Sequence, residues 1–261
     1  MPDTPAGSYG SGLWAMVAEH AAGRGQQVGV VDAVSAAVTA TRVSGAGLTM
    51  MTRAESGRVV CVTDTISAKV EELQVTCGEG PCMDAYFTRS PVLSPDLGAV
   101  EAIRRWPAFA PAASSVGAAA VFAFPLQMGA VRLGVMDLYH SEPRHLASDE
   151  LRDALLLAET ATLLLVGRDK TTPDDPEAEA HGDLLSEREG YRAEIDQATG
   201  MVSVQLDVKI DDAFARLRAY AYAKDRSLTD VARDVVARRL RFTPDTAAGP
   251  ENPTTTGGEN R

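Results

Sequence analysis

Two cysteines five residues apart are the first groups in this chain that could do chemistry together. Cys77 and Cys82 bracket the segment Cys77-Gly-Glu-Gly-Pro-Cys82, while Cys61 stands apart from them. As a dithiol pair they would exchange electrons with a thiol reductant. As small packing residues of a tight loop they would be inert, as buried thiols commonly are, and this is the simpler reading. Three cysteines are an odd number and sit at no zinc-site spacing. His20, His140, His145 and His181 are scattered, so no metal site is expected from local spacing. The sequence shows no glycine-rich phosphate loop, no serine-nucleophile elbow and no motif aspartate suited to phosphoryl acceptance. No enzyme is expected.

The elements that hold these residues can be read from periodicity and turn chemistry. Residues 1–12 are rich in Gly, Pro and Ser and read as a disordered arm. Val30, Val34 and Val38 fall on one stripe of a helix over residues 28–41. Strand-like runs at 47–52 and 58–63 flank a turn at 54–57. A helix over 67–75 leads into the cysteine loop, where Pro81 can open a short helix. A short extended piece at 91–93 precedes two longer strands at 118–127 and 131–139, in which Gly134 weakens the second strand or marks a close approach. Ser148 is read as the cap of a long exit helix, with Leu151, Leu155, Ala158, Thr162 and Leu165 at heptad-like spacing.

Composition bounds what these elements build. The 261 residues are 45% hydrophobic and 23% charged, enough apolar surface for one domain of ordinary size and a smaller one. No apolar run approaches the roughly 20 residues of a membrane span. The first residues lack a secretion signal, and with the cysteine usage this points to a cytoplasmic protein. The net charge of -11 is uneven: residues 190–242 carry 10 Lys/Arg against 8 Asp/Glu, whereas the remainder carries 15 against 28. The acidic bulk favours solubility, and the C-terminal stretch can still present a basic face. A polar linker is read at 167–183, a three-helix domain at 184–242 and a disordered tail at 243–261.

In the three-helix stretch, Tyr191, Ile195, Ala198 and Val202 form a short apolar seam compatible with a dimer contact. Ile210, Phe214, Leu217 and Ala221 make one stripe of the second helix. The third starts at Ser227 with Asp230 three residues on, a capping-box pattern, and turns Leu228, Val231, Ala232, Val235, Val236 and Leu240 inward. Its outer side carries Arg233, Arg238, Arg239 and Arg241, read as a solvated face with a minor electrostatic role.

The blocks Ile195-Asp-Gln-Ala-Thr-Gly-Met201, Ala213-Phe-Ala-Arg-Leu-Arg-Ala-Tyr-Ala221 and Leu228-Thr-Asp-Val-Ala-Arg-Asp-Val-Val236 closely resemble the ANTAR domain, a three-helix RNA-binding module of bacterial antiterminators. The resemblance implies a homodimer that binds hairpins in nascent transcripts and so prevents an overlapping terminator from forming. By motif position it makes Gln197, Thr199, Gly200, Arg218 and Tyr222 the candidate RNA contacts. Arg218 suits a phosphate or a base face and Tyr222 a stacking partner. Gly200 allows close approach, either of RNA or of a neighbouring helix. Thr199 replaces the Lys found in many members, and Lys209 stands where a Ser-like cap is common.

Upstream, Gln74 with Gly78-Glu-Gly-Pro-Cys82, Arg105-Trp-Pro-Ala-Phe109, Phe124-Pro-Leu126 and Leu133-Gly-Val-Met-Asp-Leu-Tyr139 resemble the GAF domains paired with ANTAR in actinobacterial proteins. The resemblance covers about residues 13–166. It implies an α+β fold, an antiparallel sheet flanked by helices, with a pocket for a small-molecule ligand of unread identity. Two other functions stay open at this point: a GAF-type free methionine sulfoxide reductase using the loop cysteines, and a DNA-binding regulator using the helical tail as a helix-turn-helix. Against the latter, the third helix lacks the Asn/Gln-rich face suited to base reading.

Overall fold

The computed structural model describes residues 6–51, 57–168, 182–224 and 226–243, with side chains over 11–51, 57–167, 193–224 and 226–243. The chain divides into two compact units, the second starting at Ala193.

The first unit is built on a five-stranded sheet of β1 (Gly45–Met51), β2 (Gly57–Val62), β3 (Val92–Ser94), β4 (Ala120–Met128) and β5 (Val131–His140). The strand order is β2-β1-β5-β4-β3, with every neighbouring pair antiparallel. Side chains alternate between its faces, as the pleat requires. Ala46, Leu48, Phe122, Phe124, Met136 and Leu138 point to one side, where α1 (Ala6–Arg24), α2 (Val30–Thr41) and α7 (Ser148–Arg168) cover them. Phe122 and Phe124 are fully buried there, each contributing roughly 2–3 kcal/mol of transfer free energy. Thr49, Val121, Ala123, Val135, Asp137 and Tyr139 point to the other side, beneath α3 (Thr65–Cys77), α4 (Pro81–Thr88), α5 (Val100–Arg105) and α6 (Phe109–Ser115). The fold is α+β, an antiparallel sheet between two helical layers, as expected.

Local chemistry sets the element ends. Asp64 caps α3, accepting from the N–H groups of Ile66 and Ser67 at 2.7 and 2.8 Å, and Ser67 Oγ accepts in return from the Asp64 N–H. Gly78, at φ 68, ends that helix. Asp32 accepts from the Gly29 N–H at the start of α2 and is held by Arg24 at 2.5 and 2.9 Å. Gly134 is where strands close in: a Cβ there would lie 2.1 Å from the Thr49 carbonyl oxygen.

Several expectations are corrected. Residues 6–12 belong to α1, which anchors Leu13, Val17 and Ala21 in the core; residues 1–5 lie outside the described residues, as does most of the expected turn at 54–57. The cap of α7 is Ala147, not Ser148: Glu150 accepts from the Ala147 N–H at 2.9 Å and pairs with Arg144. The heptad-like stripe of α7 splits, because a straight helix has period 3.6 rather than 3.5. Ala154, Leu157, Ala158 and Ala161 face the core, while Leu155 lies exposed. Helices α5 and α6 were not anticipated.

The second unit contains the latter part of α8 (Gly182–Leu206), then α9 (Ile210–Ala223) and α10 (Leu228–Val236). Its core is Ala198, Val202, Ala213, Phe214, Leu217, Ala221, Leu228, Val231, Ala232, Val235 and Phe242. Ile210, expected on the inner stripe, is exposed. Ser227 caps α10, accepting from the Asp230 N–H at 2.9 Å. Lys209 precedes α9 without a side-chain cap. Helix α10 ends at Val236, earlier than Leu240, and Arg238 follows at φ 59. Phe242 then returns to the unit: its ring meets Tyr220 edge-on at 5.4 Å and its N–H donates to Gln205 at 2.8 Å. The expected linker falls almost wholly, and the tail beyond residue 243 wholly, outside the described residues.

Candidate functional site

Two places in the molecule gather polar chemistry. On the second unit, Gln197 is exposed on α8, and a Cβ added at Gly200 three residues on would meet nothing within 4 Å. The pair lies on one face of the helix. Arg218 and Tyr222, one turn apart on α9, share another. Tyr222 is 59% exposed, and the half-buried Arg218 holds its guanidinium 5.6 Å from the Phe214 ring centroid. Thr199 is turned the other way. It is buried and its hydroxyl donates to the Ile195 carbonyl at 2.7 Å, so this placement gives it no face to a partner.

The dimer seam is corrected for the same reason. Ala198 and Val202 are fully buried in the unit's own core and Ile195 is half-buried, because the apolar stripe of α8 packs intramolecularly. The Tyr191 side chain lies outside the described residues. Among the basic groups, Arg226 and Arg239 both pair with Asp234, and Arg233 with Glu194 and Asp230. Arg238 and Arg241 are exposed.

The second place is inside the first unit. Glu71 from α3, Cys82 from the first turn of α4 and Asp137 from β5 offer donor atoms that all lie within 4.8 Å of one another. Their exposures are 1%, 2% and 3%. Thr49 on β1 donates its hydroxyl to Glu71 Oε2 at 2.7 Å. Gln74 bridges the rest: its Nε2 donates to Asp137 Oδ2 at 3.3 Å, and its Oε1 accepts from the Cys82 N–H at 2.7 Å. Asp137 Oδ1 is buried with no hydrogen-bond partner. Two glycines make the room. A Cβ at Gly47 would sit 2.4 Å from Glu71 Oε1, and one at Gly80 2.8 Å from Gln74 Oε1.

The dry setting governs the protonation of these groups. Burial pushes the Asp137 carboxyl up to about 6, against its interactions with the neighbouring Glu71, Cys82 and Gln74, which hold it down. Burial, then the charges of Asp137 and Glu71, raise the Cys82 thiol well above its ordinary value. A solvent-excluded, protonated thiol is a poor nucleophile, which weighs against a reductase built on Cys82; Cys77 is half-exposed. Beside the cluster, the Tyr139 hydroxyl donates to Asp64 at 3.0 Å.

The cluster was not read from the sequence. Its members come from four separate elements, and the only local signals were an aspartate inside the apolar strand β5 and a glutamate on the inward side of α3.

Comparison with known proteins adds a family frame. Residues 29–166 match the family model described as GAF domain, and residues 184–236 the one described as ANTAR domain. No curated protein matches the chain. Among solved structures, the GAF domain of a phosphoenolpyruvate-protein phosphotransferase from Coxiella burnetii is similar at 14% identity and TM-score 0.47, over 61% of this chain and 96% of that one. The corresponding domain from Acinetobacter is similar at 11% identity and TM-score 0.45, over 62% and 95%. The cyanobacteriochrome TePixJ GAF domain shows 18% identity and TM-score 0.40, over 53% and 88%.

Proposed function

The chain belongs to the GAF domain family and carries an ANTAR domain behind that domain, and from this premise we propose that it is an antitermination regulator: its C-terminal unit binds RNA stem-loops, and its N-terminal unit adjusts that binding in response to a signal. The observation that carries the reading is the face of α9, where Tyr222, 59% exposed, stands one turn from Arg218. An unpaired base in a short loop presents a π-face to such a ring and a phosphate to such a cation. Gln197 and Gly200 on α8 supply a polar contact and a place of close approach. Thr199 is left out of this contact set. Among the described residues no helix is long and apolar enough to cross a membrane, and the reading places the protein in the cytoplasm with nascent transcripts. It acts as a homodimer, so that two modules engage paired hairpins, through a surface other than Ala198 and Val202.

The test is binding of the full chain to a tandem-hairpin RNA with short loops, beside the same RNA with scrambled loops and beside duplex DNA. Loop-dependent binding that Arg218→Ala weakens about tenfold or more supports the reading, since a charge-assisted contact is worth roughly 1.5–3 kcal/mol. Equal binding to both RNAs, or preference for the duplex, overturns it. Sedimentation over a concentration series checks the dimer.

A further inference from the structure

The buried cluster of the first unit takes no part in RNA contact, and its composition calls for an occupant of its own. We propose that Glu71, Cys82 and Asp137 form a binding site for one divalent transition-metal cation, with Zn(II) or Fe(II) as the fitting class.

Geometry is the first support. Three donor atoms from α3, α4 and β5 lie within 4.8 Å of one another. Around a tetrahedral ion with bonds of 2.0–2.3 Å, donors stand about 3.3–3.6 Å apart. A contraction of up to about 1.5 Å therefore closes the site.

Two oxygen donors and one sulfur donor suit borderline cations and disfavour Mg(II) and Ca(II), which take oxygen alone. Asp137 Oδ1 supplies an independent observation: it is an acceptor without a hydrogen-bond partner on a residue only 3% exposed. Buried acceptors of that kind are rare because each costs desolvation free energy, and a cation supplies the missing contact. The outer partners are already placed. Thr49 holds Glu71, and Gln74 holds both Asp137 and the Cys82 backbone, the arrangement that fixes ligand orientation in metal sites. Two carboxyls and a thiol repel one another once ionised in a dry interior, and a dication relieves that repulsion. Binding releases the thiol proton, and any proton held by the carboxyls, to solvent.

Co(II) is the probe. The full-length protein, purified under reducing conditions and stripped with a chelator, is titrated with Co(II) and its near-ultraviolet absorption followed. The expected result is one equivalent bound, a thiolate-to-cobalt charge-transfer band, and displacement by Zn(II). Cys77→Ser keeps the band and Cys82→Ser abolishes it. Asp137→Asn weakens Co(II) binding by about tenfold or more. Circular dichroism shows whether each variant is folded. If Cys82→Ser is not, X-ray absorption of the Co(II) form of the unaltered protein counts sulfur neighbours directly: one sulfur among oxygens supports the site, and none or several overturns it. Failure to bind an equivalent of Co(II), or a band that survives Cys82→Ser, also overturns the proposal and leaves two carboxyls sharing a proton beside a thiol. Hairpin binding by the same preparations is a separate readout, so this proposal and the RNA reading can fail independently.

Discussion

The two units place their polar chemistry in opposite ways. In the first, Glu71, Gln74, Cys82 and Asp137 lie buried inside the unit, with apolar layers around them. In the second, an apolar core fills the centre and Tyr222, Gln197, Arg238, Arg239 and Arg241 lie outside. Polar groups in an interior must be matched group for group, because each loss leaves another group unpaired. Polar groups on a surface can be changed with little effect on folding, so a binding face can diversify over a constant core.

This contrast predicts a graded set of effects. The largest is expected for Gln74→Leu, which keeps the volume but removes the partner of both the Cys82 N–H and Asp137 Oδ2. Two orphaned buried groups should destabilise the first unit by about 3 kcal/mol, read as a lower denaturation midpoint at unchanged slope. A variant as stable as the parent would mean the cluster is looser than its geometry indicates. Tyr222→Ala should do the reverse. Hairpin affinity should fall by about 1–3 kcal/mol if the ring stacks on a base, while stability changes by no more than about 0.5 kcal/mol. A large loss of stability would show the ring to be structural. Lys209→Ser supplies the missing cap of α9 and should raise the stability of the second unit by about 1 kcal/mol, seen in its melting temperature.

The smallest expected effect is in pH dependence. Hydrogen bonds from Arg226 and then Arg239 hold the Asp234 carboxyl below its ordinary value. Its contribution is therefore complete above the unfolded value of about 3.9 and is lost as pH falls through the lower folded value. Asp234→Asn should flatten that acid limb in a pH series of melting temperatures and leave neutral pH almost unchanged. A steeper limb in the variant would contradict the pairing.

Much of the fold was legible because its signals are local. Val30, Val34 and Val38 mark α2; the five strands follow apolar runs and turns; Ser227 and Asp230 mark the start of α10. Helix α1 was hidden because Gly7, Gly10 and Gly12 lower helix propensity, and burial of Leu13, Val17 and Ala21 overrides it. The α8 seam was misread because an apolar stripe looks the same whether it meets a second copy or its own unit; only the fold shows Ala198 and Val202 enclosed at home. The exposed candidates Gln197 and Tyr222 and the half-buried Gly200 and Arg218 were named from motif position alone. The buried cluster was out of reach, since strand pairing and helix packing, not sequence spacing, bring residues 49, 71, 74, 82 and 137 together.

The return of Phe242 onto Tyr220 and Gln205 bears on how portable the C-terminal unit is. The family match ends at residue 236, but the chain closes its own core six residues later. A copy of the unit excised at the family boundary would leave Tyr220 uncovered and the Gln205 acceptor without its donor. Whatever rearranges this module behind other sensors, in a genome or at the bench, therefore has to carry the arginine-rich turn and Phe242 with it.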